Sequence, residues 1–127
     1  MLIGYTNVRT LLCALVLAVW PLSVQAAEGV GRGGFLSEIE DLPLPAGLTE
    51  TAGSGTTFDT PAGRIVEVYA EGQVEAPRVR QFYEETLPSL GWTVGDRSTF
   101  RREGERLRIE ILTEHPKLTV RFTIAPE

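Results

Sequence analysis

The stretch Glu75 to Trp92, EAPRVRQFYEETLPSLGW, decides how this chain folds. Val79, Phe82, Tyr83, Thr86, Leu87 and Leu90 recur at the i, i+3, i+4, i+7 spacing of one helix face. Arg78, Arg80, Gln81, Glu84 and Glu85 fall on the opposite face, with Arg80 and Glu84 spaced for a weak ion pair. Pro77 is tolerated in the first turn, and Glu75 complements the positive end of the helix dipole. Pro88 disturbs the last turn, and Gly91 supplies the residue that ends it. A helix with one apolar stripe needs one apolar surface to cover.

The flanking sequence supplies that surface as strands. TTFDT at 56–60, the turn Pro61-Ala62-Gly63 and RIVEVYAEG at 64–72 read as a hairpin. Val66, Val68 and Ala70 face one way, and Ile65, Glu67 and Tyr69 the other, which suits a strand inside a sheet. Beyond the helix, Trp92 leads out, and Ser98 to Arg102 and Leu107 to Thr113 flank a loop at Glu103-Gly104-Glu105. His115-Pro116-Lys117 turns the chain again, and Leu118, Val120, Phe122 and Ile124 alternate with Thr119, Arg121 and Thr123. Such alternation predicts an antiparallel sheet with one face buried and one wet. The expected fold is therefore α+β and two-layered, one amphipathic helix on a mainly antiparallel sheet, in the order β-β-α-β-β-β. Phe82, Leu87, Trp92, Ile109, Ile111, Val120 and Phe122 form the expected core.

Ahead of this domain the chain changes character. Leu11 to Trp20, LLCALVLAVW, is an apolar run preceded by Arg9 and followed by Pro21 and Val24-Gln25-Ala26. Ten residues make about 15 Å of helix, half a hydrocarbon core, so the segment has signal-peptide length and cannot span. Residues 1–26 read as a cleavable signal, cut after Ala26 or Ala27, which places the protein in the periplasm of a Gram-negative cell and otherwise outside. Residues 27–41 read as a flexible leader, rich in glycine and then in acid, and 42–127 as a single α+β domain. Gly29, Gly31 and Gly34 satisfy a dinucleotide fingerprint literally, but no strand precedes them and no helix follows, so no cofactor is implied. Pro43 and Pro45 in DLPLPAGL keep the lead-in extended.

Composition narrows the chemistry. Beyond residue 26 there are 17 acidic residues against 11 basic ones, a net charge of −6 that suits neither nucleic acid nor phosphate-tracking grooves. Cys13, the sole cysteine, lies in the signal, so the mature chain has neither disulfide nor thiolate. His115 is the one histidine and sits in a turn; Glu84 and Glu85 sit on the polar helix face; no serine stands in a nucleophile-elbow context. No catalytic, cofactor or metal residues are nominated. The pointed feature is DRSTFRREGERLR at 96–108, whose arginines 97, 101, 102, 106 and 108 crowd one hairpin. Arg97, Arg101, Arg102 and Arg106, emerging beside Phe100, are the candidate interaction surface, because the planar guanidinium fork suits carboxylates and phosphates.

The run Phe82-Tyr83-Glu84-Glu85-Thr86-Leu87-Pro88-Ser89-Leu90-Gly91-Trp92 resembles a helix-to-strand pattern, FY-x3-[ML]-P-x2-GW, in uncharacterised exported bacterial proteins with small domains. Their proline-rich extended lead-in is similar to DLPLPAGL here. The resemblance implies a small envelope domain and carries over no catalytic residue. Together these readings point to a non-catalytic interaction or accessory module of the cell envelope, with an envelope protein or an anionic envelope component as partner and no membrane span after cleavage. A binding protein for a small amphipathic or anionic ligand is the alternative, and it requires a cavity between helix and sheet.

Overall fold

A computed structural model describes residues 34–127; residues 1–26, read above as a signal, and the first part of the expected leader lie outside the described residues. Among the described residues the strands are β1 (Leu48–Glu50), β2 (Thr56–Thr60), β3 (Gly63–Gly72), β4 (Thr93–Val94), β5 (Thr99–Arg102), β6 (Glu105–Thr113) and β7 (Leu118–Pro126). The helix α1 (Ala76–Thr86) lies between β3 and β4. The strands form one antiparallel sheet in the order β1-β3-β7-β6-β5-β4, with β2 beside β1 along the same flank of β3. The α+β class and the helix-on-sheet layering are as expected, but the strand order is corrected: three strands precede the helix and four follow it. The two additional strands, β1 and β4, have three residues and two. Runs so short cannot display a period, and their extended form is imposed by the neighbour they pair with.

Alternation fixes which face is buried. Val66, Val68 and Ala70 of β3, Leu107 and Ile109 of β6, and Leu118, Val120, Phe122 and Ile124 of β7 all lie in the core. The β5–β6 turn is tighter than the sequence suggests: Arg102 pairs with Glu105, and Glu103 (φ 49°) and Gly104 (φ 79°) make a two-residue loop. At the start of the domain, a side chain on Gly72 would run into the Gly47 carbonyl, so β1 can approach β3 only because that residue is glycine.

On α1 the buried stripe is Ala76, Val79 and Tyr83, continuing to Leu87; Phe82 and Ile111 are only half-buried. A 3-10 turn at Leu87–Leu90 follows. Gly91 then adopts φ 87°, Gly91 N–H donates to the Pro88 carbonyl at 3.2 Å and Trp92 N–H to the Leu87 carbonyl at 3.1 Å. This is the Schellman arrangement, which satisfies the last carbonyls and drops Trp92 into the core. The Arg80–Glu84 pair that the spacing permits does not form among the ion pairs of the structure.

The leader needs a second correction. Leu36, Ile39, Leu42 and Leu44 are all buried in the same core as the sheet. Phe35 bridges to Pro43, Leu36 N–H donates to the Leu42 carbonyl at 3.1 Å, and Leu44 N–H to the Gly34 carbonyl at 2.9 Å. The chain thus closes a compact loop over residues 34–44, with Glu38, Glu40 and Asp41 outside and the leucines inside. The Tyr83 hydroxyl, reaching out from α1, donates to the Pro43 carbonyl at 2.9 Å and fastens the loop to the helix. The packed domain therefore begins ahead of residue 42.

Two measurements follow. Ile39→Ala should lower stability in denaturant unfolding by about 2–5 kcal/mol, the cost of emptying a core site, where a flexible leader would show no change. Burial pushes the Tyr83 phenol well above its ordinary value. The folded state therefore holds a proton that the unfolded chain releases above about pH 10, so stability falls as pH rises past that point. Tyr83→Phe should flatten this alkaline decline while losing about 1 kcal/mol at neutral pH for the missing hydrogen bond.

Candidate interaction surface

The helix and the 34–44 loop cover one face of the sheet, and among the described residues the other face is open. Residues opposite one another in register share a face. Arg101 lies opposite Arg106, Thr99 opposite Arg108, Arg108 opposite Thr123, and Glu110 opposite Arg121. Tyr69, Glu67 and Thr123 continue this face across β3 and β7.

The open face has two electrostatic halves. On the β7–β3 side the charges are matched. Arg121 Nε and Nη2 both donate to Glu110 Oε2, at 3.0 and 2.7 Å, and Tyr69 donates to Glu67 at 2.8 Å. The hydrogen bond to Glu110, and after it one to Tyr69, raises the Arg121 pKa further still, so this guanidinium stays charged and occupied. On the β5–β6 side the charges are unmatched. Among the described residues Arg106 and Arg108 have no carboxylate oxygen within 4.0 Å. Arg101 meets Glu127 at 2.9 Å, but with 61% of its side chain exposed, and such surface pairs contribute little.

Geometry brings these three cations close. Neighbouring strands lie about 4.8 Å apart, and alternate residues on one strand about 6.8 Å apart. Like charges directly opposite in a sheet are unfavourable, so the Arg101–Arg106 pair works against the fold that carries it. Arg97 stands exposed at the rim, in the β4–β5 loop. Together these residues line a shallow basin with Thr99, Asp96 and Glu110, whose charge Arg121 already holds.

The surface expected from sequence is thus divided. Arg97, Arg101 and Arg106 are brought to one region. Phe100 is not on it: β5 turns that ring into the core opposite Leu107, where only 2% of it is exposed. Arg102 follows Phe100 to the covered face, with its guanidinium 4.4 Å from the Trp92 ring centroid and Nη1 donating to the Leu90 carbonyl at 3.0 Å. It braces the end of the helix from the covered face, away from the other arginines. Arg108 joins the surface instead, and the period-2 rule on Arg106 and Arg108 was the signal for it. His115 is exposed in its turn. Among the described residues no three His, Cys, Asp or Glu side chains converge as metal ligands would, and no helix is long and apolar enough to cross a membrane.

Comparison with known proteins found no match to a family model, to a curated protein or to a solved structure. The reading of this surface therefore stands on its geometry.

Arg106→Glu should convert the repulsive cross-strand pair into an attractive one and raise stability by about 0.2–1 kcal/mol in denaturant unfolding. The gain should shrink in high salt, since exposed charges are screened.

Proposed function

We propose that this protein is an exported, non-catalytic binding module of the cell envelope that docks an acidic partner protein through the open face of its sheet. The observation that carries this reading is the group Arg101, Arg106 and Arg108, gathered on one uncovered face without matching carboxylates for Arg106 and Arg108. A fold under pressure for stability alone gains nothing from setting Arg101 opposite Arg106; an anionic surface laid across them reverses the sign of that interaction. Export is supported by the signal-like residues 1–26.

A protein partner is favoured over an anionic lipid surface by the balance of charge. Beyond residue 26 the chain carries a net −6, so an extended anionic sheet would repel most of it. A discrete acidic patch, by contrast, meets mainly the charges within a Debye length, about 8 Å at physiological ionic strength. Electrostatic complementarity of this kind mainly sets encounter rate and specificity.

The test is in-cell crosslinking of the full chain beside a variant carrying Arg101→Glu, Arg106→Glu and Arg108→Glu. The wild type should yield a discrete crosslinked species with an acidic protein, and the triple variant should lose it while remaining folded. Retention of the same species by the folded variant would reject the reading. Arg102→Ala serves as contrast: it should lower stability, through the lost Trp92 and Leu90 contacts, and leave capture intact.

A further inference from the structure

The β5–β6 pairing ends early. The register runs from Arg102↔Glu105 to Thr99↔Arg108, and one further bond, Ile109 N–H to the Ser98 carbonyl at 3.0 Å, closes it. Arg97 and Ser98 then both take left-handed backbone, φ 52° and 59°, and turn the chain away. β6 continues to Thr113 with β7 on one side and, among the described residues, no strand on the other. Because Ile109 directs its N–H outward, alternation directs that of Ile111 outward too, and among the described residues no backbone group answers it.

Natural sheets blunt such edges with proline, inward charges or bulges. Here a bulge lies between Ile111 and Thr113, which disposes of the far end only. Ile109 to Ile111 stay straight, without proline, and Leu112 beside them is 48% exposed. Alongside this edge runs α1. Between them is a groove of about 310 Å³, with Val79 and Tyr83 on the helix side and Ile109 and Ile111 on the strand side. Arg80 and Arg97 stand at its margins, and neither has a carboxylate within 4.0 Å among the described residues. The groove also holds Glu84 and Glu110, but the charge of Glu110 is taken by Arg121.

We propose that this groove receives an extended segment of the partner as an added strand on β6, with apolar and acidic residues alternating along it. A strand laid there meets the unanswered N–H of Ile111, that of Ile109 being already held by the Ser98 carbonyl. Its side chains point alternately toward α1 and toward the open face. On the α1 side Ile111 is half-buried over the buried Val79 and Tyr83, with Arg80 and Glu84 on the helix wall. The open side is cationic, because Arg97 lines both this groove and the arginine basin that contains Arg108. Charge complementarity and the unpaired edge thus specify one occupant, an extended acidic–apolar peptide. The inference rests on the docking reading above and names the form in which the partner binds.

The probe is a short acetylated and amidated peptide of alternating Glu and Val, added to the isotopically labelled protein. Amide exchange at Ile111 should slow by about tenfold or more, with the largest chemical-shift changes at Ile109 to Leu112. Replacing Glu by Lys in the peptide, or Arg97→Glu in the protein, should weaken binding by about tenfold. A peptide N-methylated at alternate residues keeps its side chains but loses its main-chain donors, and it should fail. Equal binding by the N-methylated peptide, or no response at Ile109 to Leu112 at millimolar peptide, would overturn the proposal. Arg101→Glu with Arg106→Glu separates the two ideas. That variant should lose in-cell capture yet keep the peptide response; loss of capture with no peptide response even in wild type would reject the strand and leave the arginine face standing.

Discussion

The Tyr83 side chain ties together three parts of the chain that have no local reason to stay in contact. Its ring meets Phe122 of β7 edge-on at 5.6 Å and Phe82 at 5.1 Å, while its hydroxyl holds the Pro43 carbonyl. A phenol buried to 1% exposure must find an acceptor or incur a heavy desolvation cost. That requirement binds the 34–44 loop to the helix, and the helix to the middle of the sheet. The need for such a loop is geometric. Eleven residues of α1 give about 16 Å of helix, whereas six strands side by side span about 24 Å. One helix cannot roof this sheet, so Leu36, Ile39, Leu42 and Leu44 cover what it leaves bare. On the β6 side none of the described residues does the same, and the groove is what remains.

The arginine face depends on a turn one residue shorter than the sequence suggests. With a three-residue loop over 103–105, Arg101 would stand opposite Leu107, and its charge would be driven toward the core. The two-residue loop sets Arg101 opposite Arg106 and sends Phe100 inward to Leu107. A single-residue slip in a hairpin exchanges the two faces of a strand. The left-handed Glu103-Gly104 turn therefore fixes both the packing of Phe100 and the existence of the cationic surface.

What could be read in the sequence was what repeats. The spacing of Val79, Tyr83 and Leu87 gave away the helix, and the alternation through β6 and β7 gave away their buried face, because each element is long enough to show its period. Gly91 marked the helix end for a local steric reason. Leu36 and Ile39 were hidden because no period links them: they sit among acids and prolines, and their burial is decided by Tyr83 and the sheet, far along the chain. β1 and β4 were hidden by brevity. Of the interaction surface, the concentration of arginine was legible. Its division between faces was not, since that turned on loop length and on two non-glycine residues taking left-handed backbone.

Those two residues, Arg97 and Ser98, join the fold to the site. Left-handed backbone at a residue with a side chain costs of order 1–3 kcal/mol and persists only where surrounding contacts enforce it. Here Gly95 N–H to the Thr99 carbonyl at 2.7 Å, Thr99 N–H to Asp96 at 3.2 Å and Ile109 N–H to Ser98 hold the turn closed. Had the chain run straight instead, β5 would have continued along β6 and gained ladder bonds with Ile111. The fold gives up that pairing, and in doing so it leaves the β6 edge open beside α1 and sets Arg97 at the junction of groove and arginine face. Stability alone does not account for exchanging sheet for strain at this point; the proposed partner strand would complete the edge that the exchange leaves open.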